Sequence, residues 1–147
     1  MNFPILSFLI LLPTIGAFFL FFTKSKNENN ITVKYVALFT SLVNFILSIY
    51  LWILFDQSTS DFQFIENRTW IKGLINYKVG VDGISILFII LTAFITPLCI
   101  ISVNNSIKKR LSEFLIAVLI MESFMIGVFC SLDLVIFYLF FEAGLIP

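Results

Sequence analysis

Histidine is missing from this 147-residue sequence, and only 12% of its residues are charged. Without histidine, an imidazole metal site and any Ser/His or Cys/His nucleophilic pair are excluded within these residues. Cysteine is nearly as scarce. Cys99 and Cys130 both lie in hydrophobic runs and form no C-x-x-C pair, so they read as small apolar residues. Neither sign of charge is in excess, with nine basic against nine acidic residues, which gives no reason to expect a nucleic-acid partner. Alanine and glycine, frequent in membrane helices, are sparse.

What is abundant is apolar and aromatic. Hydrophobic residues make up 60% of the chain, 19 of them Phe, and the mean hydropathy is +1.07. Soluble domains average about 45–50% apolar and about 25% charged, so the composition is that of a membrane protein. The favoured residues, Phe, Ile, Leu and Asn, have A- and T-rich codons. That bias points to a mitochondrial genome or an A+T-rich bacterium.

A bilayer core of about 30 Å needs ~20 apolar residues in helix. Four stretches meet that length, at about 3–22, 33–55, 84–103 and 111–130, and a fifth apolar stretch begins after Asp133 and reaches Pro147. The fold class expected is all-α, a polytopic bundle of transmembrane helices. The first stretch lacks the basic n-region of a signal peptide. Pro13 and Pro97 fall inside spans, where neighbouring helices can satisfy the carbonyls they free. Lys24, Lys26 and Lys34 follow the first span, and Lys108, Lys109 and Arg110 follow the third. By the positive-inside rule both groups face the cytoplasm or matrix, and the N-terminus faces out. The outer connection, 56–83, mixes Phe64, Trp70 and Tyr77 with Arg68, Lys72 and Lys78; it reads as a segment lying at the interface. A sequon-like Asn67-Arg68-Thr69 in it carries no weight.

Polar residues inside the spans are few enough to name. Ser41, Asn44 and Ser48 share one face of the second span, as do Ser85, Thr92 and Thr96 on the third. Such stripes usually join helices; lining a water path is the alternative. Two acids remain: Glu122 in FLIAVLIMESFMIGVFC and Glu142 in VIFYLFFEAGLIP. Only Ser131-Leu132-Asp133 separates their helices, and each acid is ten residues from Leu132. At 1.5 Å per residue both sit ~15 Å from the turn, near the bilayer midplane. A charge there costs roughly 2.5–3.5 kcal/mol, so the pair is either held neutral or used to move a proton or cation. Tyr138, four residues before Glu142, shares its face and is a candidate support.

KVGVDGISILFIILTAFITPLCI followed by MESFMIGVFCSLDLVIFYLFFEAGLIP resembles the N-terminal third of NADH dehydrogenase subunit 4. This is the antiporter-like membrane subunit of respiratory complex I, called subunit M in bacteria. GVDGIS and FEAGLIP are the specific parts. The resemblance implies a subunit of about fourteen helices in two inverted repeats, with residues 1–110 as three preceding helices and 111–147 opening the first repeat. It implies that the acid matching Glu142 pairs with a lysine two helices later to gate proton transfer driven by quinone reduction, and implicates Glu122 in the same process. That partner lysine, the family's central lysine and the second repeat lie outside these residues. NADH, FMN, iron–sulfur clusters and ubiquinone would belong to other subunits, and no cofactor is expected on this chain. Expected partners are the other membrane-arm subunits, lipids and a second chain completing the subunit from the middle of the fifth helix. The expected location is the mitochondrial inner membrane, with a bacterial plasma membrane as alternative. Other readings of the same acids are a subunit of a multi-chain cation/proton antiporter or membrane-bound hydrogenase, or a structural scaffold.

Overall fold

The computed structural model describes residues 3–24, 30–103 and 109–147, the side chains of Lys24 and Asn30 excepted. Lys26 and Lys108, used above for orientation, lie outside the described residues. The chain runs α1 (Ile5–Lys24), α2 (Asn30–Leu54), β1 (Gln63–Ile71), β2 (Ile75–Val81), α3 (Gly83–Ser102), α4 (Leu111–Cys130) and α5 (Leu134–Leu145). The first four helices are each long and apolar enough to cross a membrane, as the hydropathy pattern predicts. Both prolines are accommodated within continuous helices.

Helix α4 is the hub. It packs on α1, α2, α3, α5 and β2, while α2 lies against α1 and α3. At one end of the bundle Leu6, Leu9 and Ile10 meet Leu51, Val79, Val81, Ile86, Ile89, Ile126 and Cys130. At the other, Ala17 and Leu20 meet Val33, Ala37, Ile100, Leu111, Leu115 and Leu119. What divides these two apolar clusters is a layer of buried polar side chains: Ser41, Asn44, Ser48, Thr96, Glu122 and Ser123. Apolar side chains fill the ends and polar ones the middle, the reverse of what lipid alone would favour.

The connection 56–83 is more ordered than an interfacial segment. It forms an antiparallel hairpin, with pairs from Gln63↔Val81 to Ile71↔Ile75. Gly73 (φ 83°) supplies the left-handed residue of its turn. Sequence reasoning missed the strands because the run lacks clean alternation of apolar and polar residues. A bulge between Gln63 and Glu66 explains part of that irregularity, and Phe64 within it takes φ 55°. Positive φ at a bulky residue is strained. Here it sets Phe64 against the apolar cluster while Glu66 reaches the start of α1.

The hairpin also holds the α4–α5 turn. Val79 pairs with Ser131 as an isolated bridge, and Leu132 donates its N–H to the Lys78 carbonyl at 3.0 Å. Asp133 then caps α5 by accepting from Val135 N–H at 2.8 Å. The depth of both acids is therefore measured from a turn that is fixed on both sides.

Candidate functional site

The two acids end in opposite surroundings. Glu122 is inside, 2% exposed, and Asn44 beside it is fully buried. Asn44 Nδ2 donates to Glu122 Oε1 at 2.9 Å, joining α2 to α4 across the polar layer. Glu142 is exposed on the outside of α5. The helix period accounts for this. Ile136, Phe140 and Ala143 follow i, i+4, i+7 spacing and turn toward α4 and the hairpin, with Ile136 buried and Phe140 packed on the apolar cluster. Glu142 is two positions beyond Phe140, about 200° around the helix, and so faces away.

The structure thus does not bring Glu122 and Glu142 together, although their distances from the turn match. Tyr138 lies on the same open face as Glu142 and is 60% exposed, but no hydrogen bond joins the two. Gly127 sets how closely α5 approaches α4: a Cβ there would sit 2.8 Å from the Phe140 ring.

The polar stripes behave unequally. Ser41 and Ser48 turn their hydroxyls to carbonyls of their own helix, Leu38 at 2.9 Å and Phe45 at 2.7 Å. Of this stripe Asn44 alone crosses to α4. On α3, Thr92 and Thr96 likewise bond back to Phe88 and Thr92, and Ser85 belongs to a capping box with Asp82. A second interhelical link comes from α1: Thr14 donates to Ser123 Oγ at 2.7 Å, and Ser123 donates to the Ile10 carbonyl.

Sequence reasoning named Glu122 but not its partner. The signal was present: an Asn in the middle of a span has the same need for a polar neighbour as a Glu. It also missed Glu66. That carboxylate accepts from the N–H groups of Leu6 (3.0 Å) and Ser7 (3.3 Å) and from Ser7 Oγ, with Tyr77 Oη 3.1 Å from the same hydroxyl. An acid from β1 therefore caps the N-terminus of α1. Burial raises the Tyr77 phenol above its ordinary value, the largest influence on it, while the Ser7 hydrogen bond lowers it. Among the described residues no group of His, Cys, Asp and Glu is arranged to hold a metal ion.

No family model matches the chain. Individual relatives do. Over 149 residues the chain is 46% identical to NADH-quinone oxidoreductase subunit M of Rickettsia typhi, covering 98% of this chain and 30% of that protein. It is 46% identical over 143 residues to NADH-ubiquinone oxidoreductase chain 4 of Marchantia polymorpha, covering 97% and 28%. With subunit M of Rhodobacter capsulatus it shares 54% over 114 residues, covering 78% and 22%. The chain thus spans less than a third of the length of these relatives. With identity at this level over nearly all of its residues, the chain belongs to the family of NADH-quinone oxidoreductase subunit M and NADH-ubiquinone oxidoreductase chain 4.

Proposed function

We propose that this chain is part of a proton-translocating membrane-arm subunit of an NADH:quinone oxidoreductase, with Glu142 as an acid of the proton path. The observation that carries this reading is a carboxylate displayed on an otherwise apolar helix face, in a chain related throughout to subunits bearing that enzyme's name. Facing lipid, an ionised Glu142 would cost roughly 2.5–3.5 kcal/mol. A cationic side chain packed on the open face of α5 removes that cost and turns it into a switch. When the cation is near, the carboxylate is stable without its proton; when it withdraws, the carboxylate takes one up. Each proton delivered against 100 mV stores about 2.3 kcal/mol.

The described residues do not supply the cation. The basic side chains described belong to helix ends and the hairpin, as with Lys34, whose Nζ is 3.5 Å from the Ile101 carbonyl at the far end of the bundle. Polypeptide beyond the 147 residues, packed on α5, would bring it, and Tyr138 would offer its hydroxyl on the same face. Redox cofactors and quinone would sit on other subunits of the assembly. We place the chain in the mitochondrial inner membrane, with the hairpin and the start of α1 on the intermembrane-space side, on the asymmetry of basic residues.

Replacing Glu142 with Gln removes the titratable group while keeping shape and hydrogen bonding. The expected result is an assembled complex with reduced proton pumping and reduced coupled quinone reductase turnover. Pumping at the unaltered rate in an assembled Glu142→Gln complex refutes the reading.

A further inference from the structure

Glu122 and Asn44 have a chemistry of their own, separate from the open face of α5. Each uses one of its two polar atoms on the other, Asn44 Nδ2 with Glu122 Oε1. The remaining atoms, Asn44 Oδ1 and Glu122 Oε2, are buried and have no hydrogen-bond partner among the described residues. Both are acceptors if Glu122 is ionised, so the site would hold two buried lone-pair oxygens with no donor between them. A buried polar group left without a partner keeps its full desolvation cost, and the cost is greater when the group is charged.

The neighbouring donors are already committed. Ser123 donates to the Ile10 carbonyl, Thr14 to Ser123, Ser41 to Leu38, Ser48 to Phe45 and Thr96 to Thr92. A hydroxyl has one proton to give. Among the described residues no cation is nearby either. Facing Glu122, α1 has no charged residue before Lys24, α2 has none after Lys34, and α3 has none at all. On α4 the other titratable groups are Glu113 and Cys130, and on α5 they are Tyr138 and Glu142, turned outward. Lys34 is ten residues from Asn44 along α2, ~15 Å.

We propose that Asn44 and Glu122 form a proton-binding site: a cyclic acid–amide pair closed by one proton on Glu122 Oε2. The amide N–H donates to the acid carbonyl oxygen, and the acid O–H donates to the amide oxygen. A single proton converts one of the two orphan acceptors into the donor that the other lacks. Asn44 is the positioning residue, holding the carboxyl by both edges in the layer that divides the apolar ends of the bundle.

The test is infrared spectroscopy on the purified complex in lipid, as H2O-minus-D2O differences at neutral pH. The expected result is a protonated-carboxyl carbonyl band, sensitive to deuterium, that disappears in Glu122→Gln. In Asn44→Val the band stays but moves to higher frequency, because the acid carbonyl has lost its amide donor. A shift of this kind does not follow from a general packing defect. The glutamine introduced by Glu122→Gln offers the same donor and acceptor edges as the protonated acid, so its complex should melt within a degree or two of wild type. Glu122→Leu, which offers neither, should melt lower. A carboxylate signal assigned to Glu122 at neutral pH overturns the proposal, as does a signal that depends on sodium in place of protons. A protonated band that stays constant in the wild-type complex through turnover supports the pair.

Discussion

Glu66→Ala should release the start of α1 from the hairpin. Three donors now converge on that carboxylate: the N–H groups of Leu6 and Ser7, at 3.0 and 3.3 Å, and the Ser7 hydroxyl. The first N–H groups of a helix have no partner within it, and a capping side chain typically stabilises by about 0.5–2 kcal/mol. A negative charge at a helix N-terminus adds about 0.3–1 kcal/mol. Because Glu66 is only half-buried and the three bonds share one carboxylate, the contributions do not simply sum. About 2 kcal/mol for local opening is the figure that follows, and at 1.36 kcal/mol per tenfold it corresponds to ~30-fold faster exchange. Hydrogen exchange of the intact complex, read by mass spectrometry on a peptide covering Leu6 and Ser7, checks this. Glu66→Gln keeps one acceptor oxygen and should show an intermediate effect. Unchanged exchange at Leu6 and Ser7 in Glu66→Ala would mean that the hairpin does not cap the helix, and the reasoning fails.

Two further outcomes follow from local geometry. Gly127→Ala places a methyl against the Phe140 ring and should destabilise the α4–α5 contact by about 1–3 kcal/mol; adding Phe140→Leu should recover part of the loss, and strictly additive melting temperatures would contradict direct contact between the two positions. Asp82 accepts from Ser85 N–H at 2.7 Å and from its hydroxyl, and these bonds hold its carboxyl below the ordinary 3.8. A depressed folded-state value means that the cap contributes fully above the unfolded value and weakens as pH falls through the folded one. Exchange of the Ser85 amide in Asp82→Ala relative to wild type should therefore show a gap of about 0.5–2 kcal/mol at neutral pH that narrows below pH ~4. A gap that widens on acidification would reverse the assigned sign.

The spans were legible because each carries its own evidence. A run of ~20 apolar residues means a transmembrane helix whatever it packs against, and four such runs became α1 to α4 with ends shifted by only a few residues. The distance of Glu122 and Glu142 from the α4–α5 turn was likewise legible, since helical rise converts sequence separation into length along each helix. The hairpin was not. Its strands depend on cross-strand pairing between residues as far apart as Gln63 and Val81, and on the α4 end and the α1 start against which it rests. The bulge at Phe64 breaks the period that would have revealed it.

Sequence alone established the membrane class, the number and order of the apolar helices, and the presence of two acids equally far along the chain from one turn, because these follow from composition and local periodicity. Tertiary structure decided which acid is enclosed and which is presented outward. Rotation of a helix about its axis is set by its neighbours and leaves no mark on hydropathy when every face is apolar. So it was packing of α5 through Phe140 on Gly127 that turned Glu142 outward, and packing of α2 on α4 that gave Glu122 an amide for its partner.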